Sequence, residues 1–367
     1  MMKKNQIDTF FLGCIITLMV VGFFIFSSAS LGLLTKGNDQ YSSVAFSQTF
    51  FGLFLGTIAM IITSRIQYKN WRKYAFYIFL GALFLNLLVF VPGIGFAHGG
   101  AKRWILVFGF SFQPAEILKT AFIIYFAAWL ASAKDKVSTL KHGLLPFLLI
   151  LGVVASVILL QPDTDTFALI ACSGLAMFLT AGGKWRHVFA LFLLGIIGLG
   201  LIAFARPYVK DRIMTFVNPS ANGLTSGYQI QQSLIAIGSG GLVGRGFGQS
   251  VQKFNFLPEP IGDSIYAVAA EEFGFVGAVL LVFLFVTFAF RGLKIAVRTE
   301  ESFGRLLVVG IVILITAQAF VNIGAMLSVL PLSGNPLPFV SHGGTALLIT
   351  LAQVGIILNI SRFQKKA

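Results

Sequence analysis

The sequence predicts an all-α polytopic membrane protein: about ten transmembrane helices in one integral-membrane domain, residues 1–367, with a long extracytoplasmic loop over about residues 205–263 between helices 7 and 8. Three observations carry this. Hydrophobic residues make up 57% of the chain and charged residues only 11%, where soluble domains carry about a quarter. The mean hydropathy is +0.88. Apolar runs of about 17 to 25 residues, each long enough to cross a bilayer core, recur from end to end.

The first run covers Thr9 to Leu34, longer than the apolar part of a signal peptide and without a cleavage site. The next two are Ser47 to Ser64 and Ala75 to Val91. Pro114 to Ala133, Leu144 to Leu160, Thr166 to Ala181 and Val188 to Phe204 are the fourth to seventh. Ser264 to Phe290, Leu306 to Leu330 and Thr345 to Ile360 complete the set, which puts both termini on one side.

The net charge of +14 would suggest nucleic acid in a soluble protein. Here most Lys and Arg residues, among them Lys3, Lys4, Arg65, Arg72, Lys136, Arg186, Arg291, Arg305 and Lys366, fall in the connections on the side of the termini. That is the cytoplasmic side by the positive-inside rule, so the basic excess is explained without nucleic acid. Cys14 and Cys172 each lie in an apolar run and build no disulfide framework. The four histidines show no metal-ligand spacing.

The segment from Arg206 to Asp263 is the longest polar stretch. It keeps Tyr228, Ile230, Leu234, Phe247 and Phe256, which argues for a folded loop rather than solvated disorder. Val91 to Gln113 and Pro331 to Gly344 fall on the same outer side. Gly244-Arg-Gly-Phe-Gly248 is too short for a P-loop and follows no strand; it reads as a tight backbone passage.

Few ionisable groups lie near the membrane. Glu116 and Lys119 are three apart, on one helix face, where they can neutralise each other or serve catalysis. Asp163 and Asp165 follow Gln161-Pro162 and read equally as helix caps or as functional acids. Asp263 stands where the long loop enters the eighth span. Glu271 and Glu272 lie two turns deeper, about 12 Å below it. That exceeds the carboxylate separation of about 5 to 9.5 Å used in glycoside hydrolysis, which leaves a single carboxylate facing basic groups. Lys102, Arg103, Arg206, Lys210, Arg212, Arg245 and Lys253 are the basic groups on that side, suited to an anionic headgroup or to contact with acidic phospholipid.

Taken together, Gly100-Ala-Lys-Arg-Trp-Ile105, Phe112-Gln-Pro-Ala-Glu-Ile-Leu-Lys119, Gln161-Pro-Asp163, the Gly240 to Lys253 passage, Leu257-Pro-Glu259 with Asp263, Glu271-Glu272 and Leu337-Pro-Phe-Val-Ser-His-Gly-Gly344 resemble the SEDS family of FtsW and RodA proteins over nearly the whole chain. The resemblance implies a peptidoglycan polymerase in the bacterial cytoplasmic membrane. It would use lipid II and work with a class B penicillin-binding protein and other divisome proteins. The chain looks closest to the FtsW branch, for division; RodA-type elongation and a lipid II flippase are the alternatives, and no internal repeat of the transporter kind is detected.

By the same resemblance Asp263 matches the catalytic aspartate, and Arg103, Glu116, Lys119 and Asp163 match other functional positions at the substrate site; Lys102, Arg245, Lys253 and Ser341 are further candidate substrate contacts. Asp263 suits a general base toward a sugar hydroxyl, and Arg103 with Lys102 or Arg245 suits the leaving diphosphate. A divalent cation, Mg or Mn, would serve the diphosphate too, but the sequence shows no dedicated cage for one. The chain departs from the family pattern at Ile261-Gly262, Ser264 and His342, and at Asp165, where a glycine is usual.

Overall fold

Eight helical runs among the described residues are long and apolar enough to cross a membrane, and two shorter apolar helices, Thr164–Thr180 and Trp185–Gly198, fall where the sixth and seventh spans are expected. The structure is a computed structural model that describes residues 6–36, 38–98, 101–107, 110–205, 207–218 and 226–365. Lys3, Lys4, Gly100, Arg206 and Lys366 of the sequence reading lie outside these.

The helices are α1 (Thr9–Ser30), α2 (Asn38–Phe46), which continues through a π-helical stretch Ser47–Leu55 into α3 (Gly56–Arg65), α4 (Tyr68–Leu87), α5 (Pro114–Ala133), α6 (Leu145–Ile158), α7 (Thr164–Thr180) and α8 (Trp185–Ala205). After them come α9 (Pro207–Val217), α10 (Ser226–Ser239), α11 (Ile265–Arg298), α12 (Ser302–Met326) and α13 (Gly344–Ser361). Local chemistry sets several of the ends. Asp8 caps α1 by accepting from Phe11 N at 2.9 Å, and the same carboxylate binds Arg291 of α11 at 2.9 Å. Pro114 opens α5 with Glu116 in its first turn, where a missing N–H costs nothing and a negative charge meets the positive end of the helix dipole.

Helices α5, α12 and α13 are the most buried of the spans, as their apolar character all round requires. Phe122, Phe126, Phe147 and Phe178 stack in series from α5 through α6 to α7, with centroids 5.5, 4.8 and 5.8 Å apart.

Among the described residues the helices are joined by one small β-sheet. Gly95–His98 (β1), Ala101–Val107 (β2) and Phe110–Phe112 (β3) form an antiparallel sheet, with Gly95 opposite Ile105 and Ile105 opposite Phe112. In β2 the side chains alternate: Ile105 is buried, and Arg103 on the same face is partly buried, whereas Lys102 and Leu106 are exposed.

The long loop is also more structured than a wholly external segment. It forms α9 and α10, and then its glycine-rich part runs down beside α11. There α11 breaks at Gly274, whose φ of 66° and ψ of −167° suit glycine alone. A Cβ at Gly274 would collide with Gly244 N, and one at Gly244 with the Glu272 carbonyl. The break frees backbone groups that hydrocarbon cannot satisfy, and the loop satisfies them. Arg245 N and Gly246 N donate to the carbonyls of Glu271 and Glu272 at 3.0 Å each, while Phe275 N and Val276 N donate to Gly241 O and Leu242 O at 2.9 and 3.1 Å.

Candidate active site

Asp263 lies in the turn between the long loop and α11, and its backbone is fixed from one side by α12 and the segment that follows it. Three successive carbonyls are engaged: Ile261 O accepts from His342 N at 2.7 Å, Gly262 O from Ser341 Oγ at 2.7 Å, and Asp263 O from Asn322 Nδ2 at 2.8 Å. Asn322, fully buried, also donates to Asn335 O at 3.0 Å, and so holds the Asp263 turn and the 331–343 segment together. Gln48 of the π-helical stretch secures that segment by donating to Ser341 O at 3.1 Å and accepting from Gly343 N at 3.0 Å.

Two of the other acids on this face, Asp163 and Asp165, are occupied. Asp163 caps α7, accepting from Thr166 N at 3.3 Å, with Arg103 Nη1 3.8 Å away; burial raises its pKa against the opposing pull of Arg103. Asp165 Oδ2 accepts from Arg212 Nη1 at 2.6 Å and from Gly334 N at 3.0 Å. The half-buried Asp263 carboxylate makes no hydrogen bond or ion pair of this kind among the described residues. Desolvation first, then the negative charges of Glu259 and Asp165, push its pKa up to about 7, against Arg212 and Arg103. An ordinary aspartate, expected to be fully ionised at neutral pH, is here poised near its midpoint, where a base can both accept and hold a proton.

Arg103 faces this site but is mostly engaged in structure: Nε donates to Gln161 O at 3.1 Å and Nη2 to Pro162 O, which secures the α6–α7 turn. Lys102 projects from the other face of β2 and is exposed. Glu116 and Lys119 form the buried pair that their spacing suggests, 2.8 Å apart. Lys119 Nζ also donates to Gln318 Oε1 at 2.8 Å, and Gln318 Nε2 to Pro336 O at 2.8 Å, so the pair supports the 331–343 segment from within the bundle.

Three expected substrate contacts have partners within the protein. Lys253 is buried, with Nζ bound to Glu272 Oε1 at 2.7 Å, Ser28 Oγ at 2.9 Å and Gly248 O at 2.9 Å; an ammonium has three protons, and all are used. Arg245 lies with Glu271, 3.4 Å away, beside the break in α11. Ser341 is buried, donating to Gly262 O and accepting from Leu337 N at 2.8 Å, so it fastens the Asp263 turn. Sequence reasoning missed Asn322 and Asn335, and it listed Arg212 without a partner; the signal available for Arg212 was the unusual acid at Asp165.

An apolar cleft of about 480 Å³ between α1 and α11, lined by Phe24, Phe247, Phe273 and Gly277 among others, contains none of these acids or bases. Among the described residues no group of three or more His, Cys, Asp or Glu is disposed to hold a metal ion.

Fold and site together define a multi-pass membrane protein with a half-buried, unengaged carboxylate beside guanidinium groups at one end of a helical bundle. The model of the cell cycle protein family FtsW/RodA/SpoVE matches residues 8–366, and the chain belongs to that family. It is 38% identical over 337 residues to a Geobacter sp. (strain M18) protein named "Probable peptidoglycan glycosyltransferase FtsW", covering 92% of this chain and 91% of that one. It is 35% identical over 364 residues to stage V sporulation protein E of Bacillus subtilis (strain 168), covering 99% of each. Among solved structures, a peptidoglycan synthase complex described as coordinating polymerization and crosslinking shares the fold at a TM-score of 0.75 and 24% identity, over 93% of this chain and 96% of that one. The rod shape determining protein RodA of Thermus thermophilus does so at 0.67 and 24%, over 96% and 97%.

Proposed function

We propose that this protein is a peptidoglycan glycosyltransferase that polymerises lipid II into glycan strands during cell division. Family membership and the names of its relatives support the activity. The observation that carries the site is the Asp263 carboxylate, held on a fixed backbone and unengaged beside Arg212. In the reaction the 4-hydroxyl of the acceptor sugar gives its proton to Asp263 while its oxygen attacks the anomeric carbon of the donor. The bond from that carbon to the polyprenyl diphosphate breaks, and the diphosphate leaves with the electron pair. The backbone that carries Asp263 is held by His342 N, Ser341 Oγ and Asn322 Nδ2, so the base is positioned before the reaction begins.

The protein lies in the bacterial cytoplasmic membrane with both termini inside, as the distribution of Lys and Arg supports, and Asp263 then faces outward, where the strands are built. A class B penicillin-binding protein is its partner, a reading supported by the fold it shares with a synthase complex. The test is lipid II polymerisation by the purified protein with that partner in detergent. Asp263→Asn keeps the shape but not the basicity, and the rate should fall about 10²-fold or more. Polymerisation at the wild-type rate would refute the assignment of Asp263. A flippase would make no polymer in detergent, so polymer formation by the wild type separates the two activities.

A further inference from the structure

The cations expected to receive the diphosphate are largely engaged elsewhere: Arg103 with the α6–α7 turn, Arg245 with Glu271, Lys253 with Glu272 and Ser28. Arg212 is placed differently. It projects from α9, its side chain about a quarter exposed at 27%, with Nη1 on Asp165 Oδ2 at 2.6 Å. A Cβ built at Gly334 would lie 3.7 Å from Arg212 Nη2 and 3.8 Å from Asp263 Oδ2. The guanidinium and the unengaged carboxylate therefore face each other across a gap that Gly334, lacking a side chain, leaves open. A guanidinium is a fork matched to carboxylate and phosphate oxygens alike, so a carboxylate on it occupies the position that a phosphate would take.

We propose that Arg212 binds the diphosphate of the lipid-linked substrate and that Asp165 is its resident counter-ion, displaced when the diphosphate arrives. This rests on the glycosyltransferase reading and deepens it by naming the residue that holds the leaving group. Asp165 orients Arg212 and offsets its charge in the partly buried site while no anion is bound, because an unpaired guanidinium there would be costly. A bound diphosphate carries more negative charge than one carboxylate and takes over the fork. Asp165 keeps its second partner, Gly334 N at 3.0 Å, so the exchange leaves it satisfied.

The pair can be tested without turnover, because a binding role and a structural role predict different signs. The full-length protein in detergent is titrated with farnesyl diphosphate, and in parallel with inorganic pyrophosphate and with dioctanoyl phosphatidylglycerol. Asp165→Asn retains an acceptor for Gly334 N but no longer competes for Arg212, and should bind farnesyl diphosphate about fivefold tighter. Arg212→Gln should bind it about tenfold more weakly or worse, and Arg212→Lys, which keeps the charge but loses the fork, should fall between. Pyrophosphate should follow the same order among the variants, while phosphatidylglycerol should bind more weakly than farnesyl diphosphate to the wild type. If Asp165→Asn and Arg212→Gln both weaken binding alike, the pair is structural and the proposal fails. It also fails if Arg212→Gln binds as the wild type does, or if phosphatidylglycerol matches farnesyl diphosphate. Should Arg212→Gln not fold, the opposite signs expected for Asp165→Asn and Arg212→Lys decide the matter. Because only binding is read, a failure here leaves the polymerisation test of Asp263 standing, and the reverse holds too.

Discussion

Removing one member of the Glu116–Lys119 pair strands a charge inside the bundle, and the structure bounds the damage. The two side chains are 5% and 1% exposed and 2.8 Å apart. Lys119 has a second partner in Gln318 at 2.8 Å, whereas Glu116 has no other side-chain partner of that kind among the described residues. Breaking a buried pair costs about 3 to 5 kcal/mol. A stranded carboxyl can escape by taking up a proton, which for an ordinary glutamate at pH 7 costs about 3.7 kcal/mol, so the loss in Lys119→Met should not exceed about that value. At about 2 °C per kcal/mol, thermal unfolding in detergent should fall by about 6 to 7 °C in Lys119→Met, and by less in Glu116→Gln, where Gln318 still receives the ammonium. The double variant Glu116→Gln with Lys119→Met leaves no charge behind and should recover most of the loss. Single variants melting within about 1 °C of the wild type, or a double variant as unstable as the sum of the singles, would refute this account of the pair.

Three further outcomes follow from the geometry. Because the Asp263 pKa is raised to about 7, folding favours the protonated acid: that contribution is full below the ordinary aspartate range and is lost as pH rises through 7. Melting temperature should therefore drop from pH 5 to 8 more in the wild type than in Asp263→Asn, while polymerisation rises with an apparent pKa near 7; parallel melting profiles and a flat rate would contradict it. Lys253→Met leaves Glu272 in the buried cluster with only Ser28 and Ser250 as partners, so it should lose about 3 kcal/mol or more of stability, which a wild-type melting curve would disprove. A cysteine at the exposed Val217, in a Cys14→Ser, Cys172→Ser background, should react with an impermeant thiol reagent on intact cells; labelling only after the membrane is opened would reverse the proposed orientation.

The spans were legible because hydrocarbon demands long apolar runs, and each expected run corresponds to a helix. Glu271 and Glu272 do lie on the helix that follows Asp263, well inside α11, which starts at Ile265. The β-sheet was not legible: Ala101–Val107 is short and is flanked in the sequence by Gly99-Gly100 and Gly109, so it read as loop. That lapse had a cost at Lys102 and Arg103, neighbours in sequence that a strand sends to opposite faces. Lys253 shows a different limit. A sequence gives its charge but not its partners, which come from α1 at Ser28 and from α11 at Glu272, so a lysine in a polar loop looked available when it was buried. Arg212 and Asp165 are 47 residues apart; the unusual acid at Asp165 signals that a partner is needed, but not which of the basic residues supplies it.

The arrangement around Asp263 separates two tasks that one helix could not perform together. A carboxylate at a helix start is ordinarily drawn into capping, as Asp163 is by Thr166 N. Asp263 precedes Ser264, the residue that flanks the first turn of α11, and the carbonyls of 261, 262 and 263 are held by His342, Ser341 and Asn322. The backbone is thus fixed by partners on another element, and the side chain is not needed to fix it. Positional precision then comes from main-chain hydrogen bonds, while proton affinity comes from burial and from the acids at Glu259 and Asp165. A base held in this way can lie near its target with its lone pairs unengaged, which satisfies both the geometric and the acid–base requirements of proton transfer. The Glu116–Lys119–Gln318 chain acts one step further back, since Gln318 holds Pro336 O in the segment that carries Asn335, Ser341 and His342. Charge buried within the bundle therefore supports the segment whose side chains and backbone hold the Asp263 turn.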